Sequence, residues 1–263
     1  MKKFEYKKSL GQNFLHNQKI VDRIVDAGNI GLDDVVLEIG CGDGILTEAI
    51  LSKLPKKLLV CEIDERCIEL MKTRLQNHPE WNRVEILHQN ALELNIADLV
   101  KNSGEKIKVI SNLPYSVGSR IFVELSQQKA QISLMILMFQ REVAKRITAK
   151  TGEDYGLLSV IGGVAFDSKI LFDVSPANFK PAPAVTSSVI ACTPNAREIA
   201  GQEFEKFIRI SRRLFENRRK MIRSYAGDLV ENFPEYSEKR AENLTVDDLL
   251  KLTGLVIGKD LEG

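Results

Sequence analysis

The sequence has few of the residues that make covalent or metal chemistry. Its 263 residues include three histidines (His16, His78, His88) and four cysteines (Cys41, Cys61, Cys67, Cys192). The histidines are scattered without ligand spacing, so no metal is assigned. No two cysteines form a C-x-x-C pair, and three lie in or beside apolar text, so they read as reduced thiols of a cytoplasmic protein. No uncharged apolar run reaches the ~18 residues a membrane span needs. The lysine-bearing start, MKKFEYKKSLGQNFL, has no apolar core behind it and does not read as a secretory signal. Internal repeats and low-complexity stretches are missing too. Net charge is nearly absent: 37 Lys and Arg stand against 36 Asp and Glu, a balance of +1, which excludes a chain that is basic throughout.

What is present is an ordinary globular composition, 44% apolar and 28% charged, long enough for one large domain or a large one with a small one. Short β-branched apolar runs at 35–39, 58–62, 84–87, 107–111 and 134–139 alternate with helical periods at 18–28, 44 onward and 65–77. Alternation of this kind predicts a parallel sheet with helices on both faces, an α/β Rossmann-like architecture. From 196 onward only helical patterns follow, so a small all-α domain over 196–263 is expected behind a domain spanning 1–195, with the hinge at 193–197. The charge is also uneven. Residues 206–223 carry eight Lys and Arg against Glu216 alone, and residues 224–263 carry four basic residues against nine acidic ones.

The first strand closes in Glu38-Ile39-Gly40-Cys41-Gly42-Asp43-Gly44 and opens a helix. Glycines there permit a tight turn and let a ligand reach the backbone. Glu62 ends the next strand, 20 residues after Gly42, where an acid accepts hydrogen bonds from ribose hydroxyls. The G-x-G-x-G spacing lacks the pyrophosphate-cradling form, so a nucleoside with a small charged group fits better than a dinucleotide, and S-adenosylmethionine is the obvious one. An NAD-dependent dehydrogenase is the competing reading.

The fourth strand runs into Asn112-Leu113-Pro114-Tyr115, at the strand ends where open α/β sheets bind ligands. This grouping suits methylation of an exocyclic amine. Such an amine is a poor nucleophile, because its lone pair is delocalised into the ring. The Asn112 side-chain oxygen and a carbonyl of the Leu113-Pro114 turn can accept its N–H groups, Pro114 stiffens the turn, and Tyr115 offers a ring on which a flipped base stacks. Acceptor dipoles also stabilise the positive charge that develops on the nitrogen.

Together with Gly11-Gln12-Asn13-Phe14-Leu15, Asn90-Ala91-Leu92, Tyr155-Gly156-Leu157-Leu158-Ser159-Val160 and Phe179-Lys180-Pro181-Ala182-Pro183-Ala184-Val185-Thr186-Ser187, these motifs stand in an order that resembles the ribosomal RNA adenine dimethyltransferase family, from about Phe4 to the C-terminal helices. The resemblance implies a class I methyltransferase fold. It also implies transfer of methyl groups from S-adenosylmethionine to N6 of two adjacent adenosines in the hairpin loop near the 3′ end of 16S rRNA, in the 30S subunit or its precursor. By matching position, Asn13 and Leu15 contact the cofactor's methionine end, with Gly40 beneath it. Glu62 holds the ribose, Asn90 meets the adenine amine, Asn112 touches both cofactor and target, and Gln12, Gly42, Ile63 and Ala91 are further cofactor-binding residues. Phe179 covers the base opposite Tyr115. A monomer is expected.

Two positions depart from the family pattern, Cys41 in place of Pro and Asn90 in place of Asp. An amide oxygen at 90 still accepts from an adenine amine but lacks the carboxylate's charge, which predicts weaker cofactor binding.

The segment 204–223 has helical period, with Phe204, Ile208, Phe215 and Ile222 on one stripe and basic residues on another. Arg212, Arg213, Arg218, Arg219, Lys220 and Arg223 are therefore expected to lie along RNA phosphates. Lys2, Lys3, Lys7 and Lys8 can add to the same field. The rival readings are a 23S rRNA adenine methylase of the macrolide-resistance type, a DNA adenine methylase and a non-catalytic ribosome-assembly factor. Finally, Thr245-Val246-Asp247-Asp248 ahead of Leu249, Leu250 and Leu252 predicts a capped helix ending near Gly254.

Overall fold

A computed structural model describes residues 12–101 and 104–255, which leaves Gly11 and the four N-terminal lysines at 2, 3, 7 and 8 outside the described residues. A short strand β1 (Phe14–Leu15) and helix α1 (Gln18–Ala27) come first. Strands and helices then alternate: β2 (Val35–Ile39), α2 (Ile45–Leu51), β3 (Lys57–Glu62), α3 (Glu65–Leu75), β4 (Val84–His88), α4 (Ile96–Leu99), β5 (Ile107–Asn112), α5 (Gly118–Gln127) and β6 (Ile132–Gln140). Next come α6 (Arg141–Thr148), α7 (Leu157–Ala165), β7 (Phe166–Val174), β8 (Phe179–Lys180) and β9 (Ser187–Pro194). The described chain closes with α8 (Gly201–Glu216), α9 (Arg223–Ala226) and α10 (Val246–Leu252).

The chain divides into two compact units. The first holds the described residues up to Ala144 together with Lys169–Pro194, and the second holds Lys145–Ser168 together with the described residues from Asn195 onward. The division differs from the expected 1–195 and 196–263 in that the segment with α7 belongs to the second unit, where α7 packs against α8 and α10.

In the first unit the strand order is β4-β3-β2-β5-β6-β9-β7. β4, β3, β2, β5 and β6 run parallel, as their alternation with helices demands. The parallel sheet expected from sequence is extended at one side, where β9 runs antiparallel to β6 with Gln140 opposite Ser187 and Met135 opposite Cys192. β2 is the middle one of the five parallel strands, and all five of its residues are buried, consistent with a strand covered on both faces. The order reverses between β2 and β5, which makes the carboxyl ends of these two strands the switch point where such sheets hold ligands.

In the second unit, Phe204, Phe207, Ile208 and Leu214 form the buried stripe of α8. The Tyr155 hydroxyl donates to the Leu244 carbonyl at 2.9 Å, and its ring meets Phe215 edge-on. α10 begins at Thr245, whose side chain accepts from the Asp248 N–H, while Asp248 accepts from the Thr245 N–H; this is the reciprocal cap read from the sequence. The single helix expected over 204–223 is corrected: α8 stops at Glu216, and Asn217 leaves helical geometry. The chain turns there so that the Ile222 N–H reaches the Lys239 carbonyl at 2.9 Å and Met221 bridges Arg240. Among the described residues no helix is long and apolar enough to cross a membrane.

Candidate active site

The carboxyl ends of β2 and β5 part after Leu37 pairs with Val109. Beyond that point the Ser111 hydroxyl donates to the Ile39 carbonyl at 2.6 Å, so the buried acceptor is satisfied while the strands diverge. The glycine turn after β2 then needs left-handed backbone. Gly40 has φ +81° and lies against Pro114, the proline of the turn after β5. Gly44 has φ +86° and begins α2, and a Cβ there would stand 3.1 Å from the Met71 backbone. These two turns wall a cavity of about 330 Å³.

Three further segments complete the wall. The segment Gln12–Leu15 covers it from the chain's start. The Gln12 amide donates to Asp64 at 2.9 Å, and Leu15 is held by β1 pairing with β8, which sets Phe14 opposite Lys180 and Leu15 opposite Phe179. The end of β3 contributes Glu62 and Ile63. One Glu62 oxygen accepts from the N–H groups of Ile63 and Asp64, both at 2.8 Å, and burial raises the carboxyl's pKa above its ordinary value. Asp64 caps α3 through the Arg66 N–H, and its hydrogen bonds with the Arg66 side chain hold its carboxyl well below the usual range. The turn after β4 brings Asn90, and the turn after β5 brings Asn112 to Tyr115.

Two buried acceptors on this cavity stand out. Glu38 is fully buried in β2, and the Thr47 hydroxyl beside its carboxyl lowers its pKa less than burial raises it. Burial raises its pKa from 4.5 to about 8, with the neighbouring carboxylates of Glu62 and Asp43 pushing the same way. Asn112 donates from its amide nitrogen to the Asn13 carbonyl at 3.3 Å, whereas its buried Oδ1 has no partner among the described residues. Buried polar atoms are normally paired, so an orphaned acceptor facing a cavity marks a place where a donor belongs.

The cavity gathers Gln12, Asn13, Leu15, Gly40, Gly42, Glu62, Ile63, Asn90 and Asn112 to Tyr115, all anticipated as site residues. Ala91 is not on its wall; the neighbouring Leu92 is. Phe179 is not on it either. It is buried in the same apolar cluster as Leu15, Met138 and Val189. Glu38 and Arg120 line the cavity without having been singled out. For Glu38 the signal was legible: an acid inside an otherwise apolar five-residue strand. At Asn90 the amide oxygen caps the following turn through the Leu92 N–H at 3.1 Å, and the amide nitrogen donates to Glu93 at 3.2 Å.

None of the four cysteines is in a disulfide, and all are buried. Burial pushes Cys61 and Cys67 up to about 12 and Cys41 further still, so these three are thiols near neutral pH.

The basic block of the second unit is not uniform. Arg213 forms a two-pronged pair with Asp228 at 2.7 and 2.5 Å. Arg218 donates to the Tyr155 and Glu153 carbonyls at 2.8 and 3.1 Å, and Arg223 pairs with Glu238. Arg212, Arg219 and Lys220 are exposed and have no such partner among the described residues.

Comparison with known proteins matches residues 3–256 to the family model described as ribosomal RNA adenine dimethylase. The chain is 35% identical over 262 residues to the ribosomal RNA small subunit methyltransferase A of Sulfurihydrogenibium sp. (strain YO3AOP1), covering 99% of this chain and 100% of that protein. It is 38% identical to the protein of the same name from Chelativorans sp. (strain BNC1), over 94% of this chain and 91% of that one. Among solved structures it is similar to a dimethyladenosine transferase from Plasmodium falciparum, with TM-score 0.78, 26% identity and 91% and 95% of the two chains covered. It also shares its fold with the 23S rRNA methyltransferase ErmE, at TM-score 0.66 and 21% identity over 92% and 99% of the chains.

Proposed function

The chain belongs to the ribosomal RNA adenine dimethylase family, and from that membership we propose that it transfers methyl groups from S-adenosylmethionine to N6 of two adjacent adenosines in the hairpin loop near the 3′ end of 16S rRNA. Its substrate is the small ribosomal subunit or its precursor, and it works in the cytoplasm. The observation that carries this reading is the orphaned Oδ1 of Asn112 beside Pro114 and Tyr115.

The donor set of the cavity fits S-adenosylmethionine. The buried carboxyl of Glu38 suits an ammonium group, Glu62 at the end of β3 suits ribose hydroxyls, and exposed Ile63 offers an apolar face to adenine. When bound, the cofactor supplies a sulfonium with an electrophilic methyl carbon. The protein's own task is to aim an aromatic amine at that carbon. Asn112 Oδ1 and the Leu113 carbonyl accept the amine's two N–H groups and favour a more tetrahedral nitrogen. The same dipoles stabilise positive charge as it develops there. No strong base is required, because a methylated ammonium on an aromatic ring is acidic and loses its proton readily. Tyr115 stacks on one face of the extruded base. Phe179 covers the other face only once its ring leaves the buried cluster, so we assign that contact to the RNA-bound arrangement. In the second unit, Arg212, Arg219 and Lys220 supply the phosphate contacts, while Arg213 and Arg218 hold their own surroundings.

Incubation with labelled methyl donor tests the reading. Under-methylated 30S particles, naked 16S rRNA, 50S particles and DNA are offered in parallel. Label in dimethyladenosine from the small-subunit substrate alone is expected. Label in 23S rRNA reassigns the enzyme to the macrolide-resistance type, and no label from any substrate makes it an assembly factor without transfer.

A further inference from the structure

Tyr115 lines the cavity with its ring, and its hydroxyl is hydrogen-bonded to the Ser187 side chain. Ser187 is the last residue of the Phe179-to-Ser187 motif and the first of β9, and it is fully buried. Its surroundings are fixed on every side. Ser187 sits in register opposite Gln140 of β6. On one flank the Thr186 carbonyl accepts from the Arg141 N–H at 2.9 Å. On the other, the Ser188 hydroxyl donates to Asp173 at 2.6 Å, and Asp173 pairs with Arg141 at 3.4 Å. The phenol is therefore moored to the sheet and not to a loop, although Tyr115 itself sits on a turn. A ring tethered at both Cα and hydroxyl cannot swing about its χ angles into or out of the slot, which is how supporting hydrogen bonds hold a site group to within a fraction of an ångström.

We propose that Ser187 is a positioning residue for the reaction: by anchoring the Tyr115 hydroxyl, it fixes the stacking surface that holds the target adenine in line for transfer. The proposal rests on the methyl-transfer reading above. Holding matters most for the second methyl group. After the first transfer the amine is bulkier, and a base held loosely leaves before it can be methylated again.

The test uses the whole protein with under-methylated 30S particles, following total transfer and the ratio of dimethyl- to monomethyladenosine. For Ser187→Ala, kcat is expected to fall about tenfold, while the KM for 30S and the affinity for S-adenosylmethionine stay within about twofold, because phosphate contacts elsewhere dominate RNA binding. Monomethyladenosine accumulates. Tyr115→Phe, which keeps the ring but loses the tether, behaves the same way, and the double variant is no slower than either single one. Ser187→Thr, which keeps the hydroxyl, recovers the wild-type dimethyl fraction. A separate readout needs no substrate: the alkaline absorbance titration of Tyr115, isolated by subtracting the Tyr115→Phe spectrum, moves to higher pH in Ser187→Ala because the hydroxyl no longer stabilises the phenolate. Wild-type turnover with a wild-type dimethyl fraction in Ser187→Ala overturns the proposal, as does a multiplicative loss in the double variant or an unmoved titration. If the wild-type protein itself transfers no label, the proposed function has failed, and the titration still decides whether Ser187 holds Tyr115.

Discussion

Asn112→Ala separates a catalytic role from a structural one, because the two predict opposite changes. The side chain makes one long hydrogen bond, from its amide nitrogen to the Asn13 carbonyl at 3.3 Å, and leaves Oδ1 buried without a partner among the described residues. Losing an ordinary hydrogen bond costs about 0.5–1.5 kcal/mol, whereas removing a buried unsatisfied polar atom relieves about 1–3 kcal/mol. The net lies between about −0.5 and +2.5 kcal/mol and centres on a gain of about 1 kcal/mol, or a few degrees in Tm at ~2–4 °C per kcal/mol for a chain of this size. Activity moves the other way. Deleting one preorganised hydrogen-bonding group at a reacting centre lowers kcat by about 10²–10³, or ~3–4 kcal/mol. Thermal unfolding and single-turnover transfer to 30S particles, measured on the same preparation, check both numbers. A variant that melts well below the wild type while turning over near normally refutes the argument, since Asn112 would then be a structural residue whose oxygen has no work at the reaction.

The other predictions concern the cofactor and the RNA. Glu38 is protonated in the unliganded protein up to about pH 8, so an ammonium-bearing ligand must displace that proton. Affinity for S-adenosylmethionine measured by calorimetry is therefore expected to rise between pH 6 and pH 7.5, by at most about tenfold per unit, and to be flat in Glu38→Gln. The same shift sets the sign for stability. The folded state holds a proton that the unfolded chain releases above 4.5, so the unliganded protein loses stability as pH rises from 4.5 to about 8, and Glu38→Gln removes that slope. Asn90→Asp keeps the turn cap on Leu92 and restores a charged acceptor, so S-adenosylmethionine binding should tighten several-fold; unchanged or weaker binding counts against a role for residue 90 at the adenine. Arg212→Glu combined with Lys220→Glu should weaken binding to 16S rRNA and flatten its dependence on salt, with S-adenosylmethionine affinity unaltered; an unchanged salt slope would remove these residues from the phosphate contact.

The sheet from β4 to β6 was legible because each strand is a short apolar run bounded by glycines or turn residues. β7 was not, because Asp167, Lys169 and Ile170 stand exposed along it and break the pattern of a buried strand. β1 and β8 are two residues long, and only their pairing across the chain makes them strands. α8 looked longer than it is because nothing in Asn217-Arg218-Arg219-Lys220 is a strong breaker. The helix ends there for tertiary reasons, with Arg218 turned toward the carbonyls of Glu153 and Tyr155. The cavity residues were readable because their types are chemical requirements at fixed offsets from strand ends. What escaped was conformation: Phe179 was found by motif, but no motif could say that its ring is packed away.

The pairing of β1 with β8 reaches beyond local architecture. Asn17 donates to Asn178 at 2.7 Å across 161 positions of sequence, beside the Leu15–Phe179 register. Contacts so distant form late, since a long loop must close before they give anything back. During synthesis, then, the Gln12–Leu15 segment that covers the cavity has nothing to fasten to until the ribosome has released residues near 180. A nascent chain cut short of that point would fold much of its sheet and still leave the cavity unlatched.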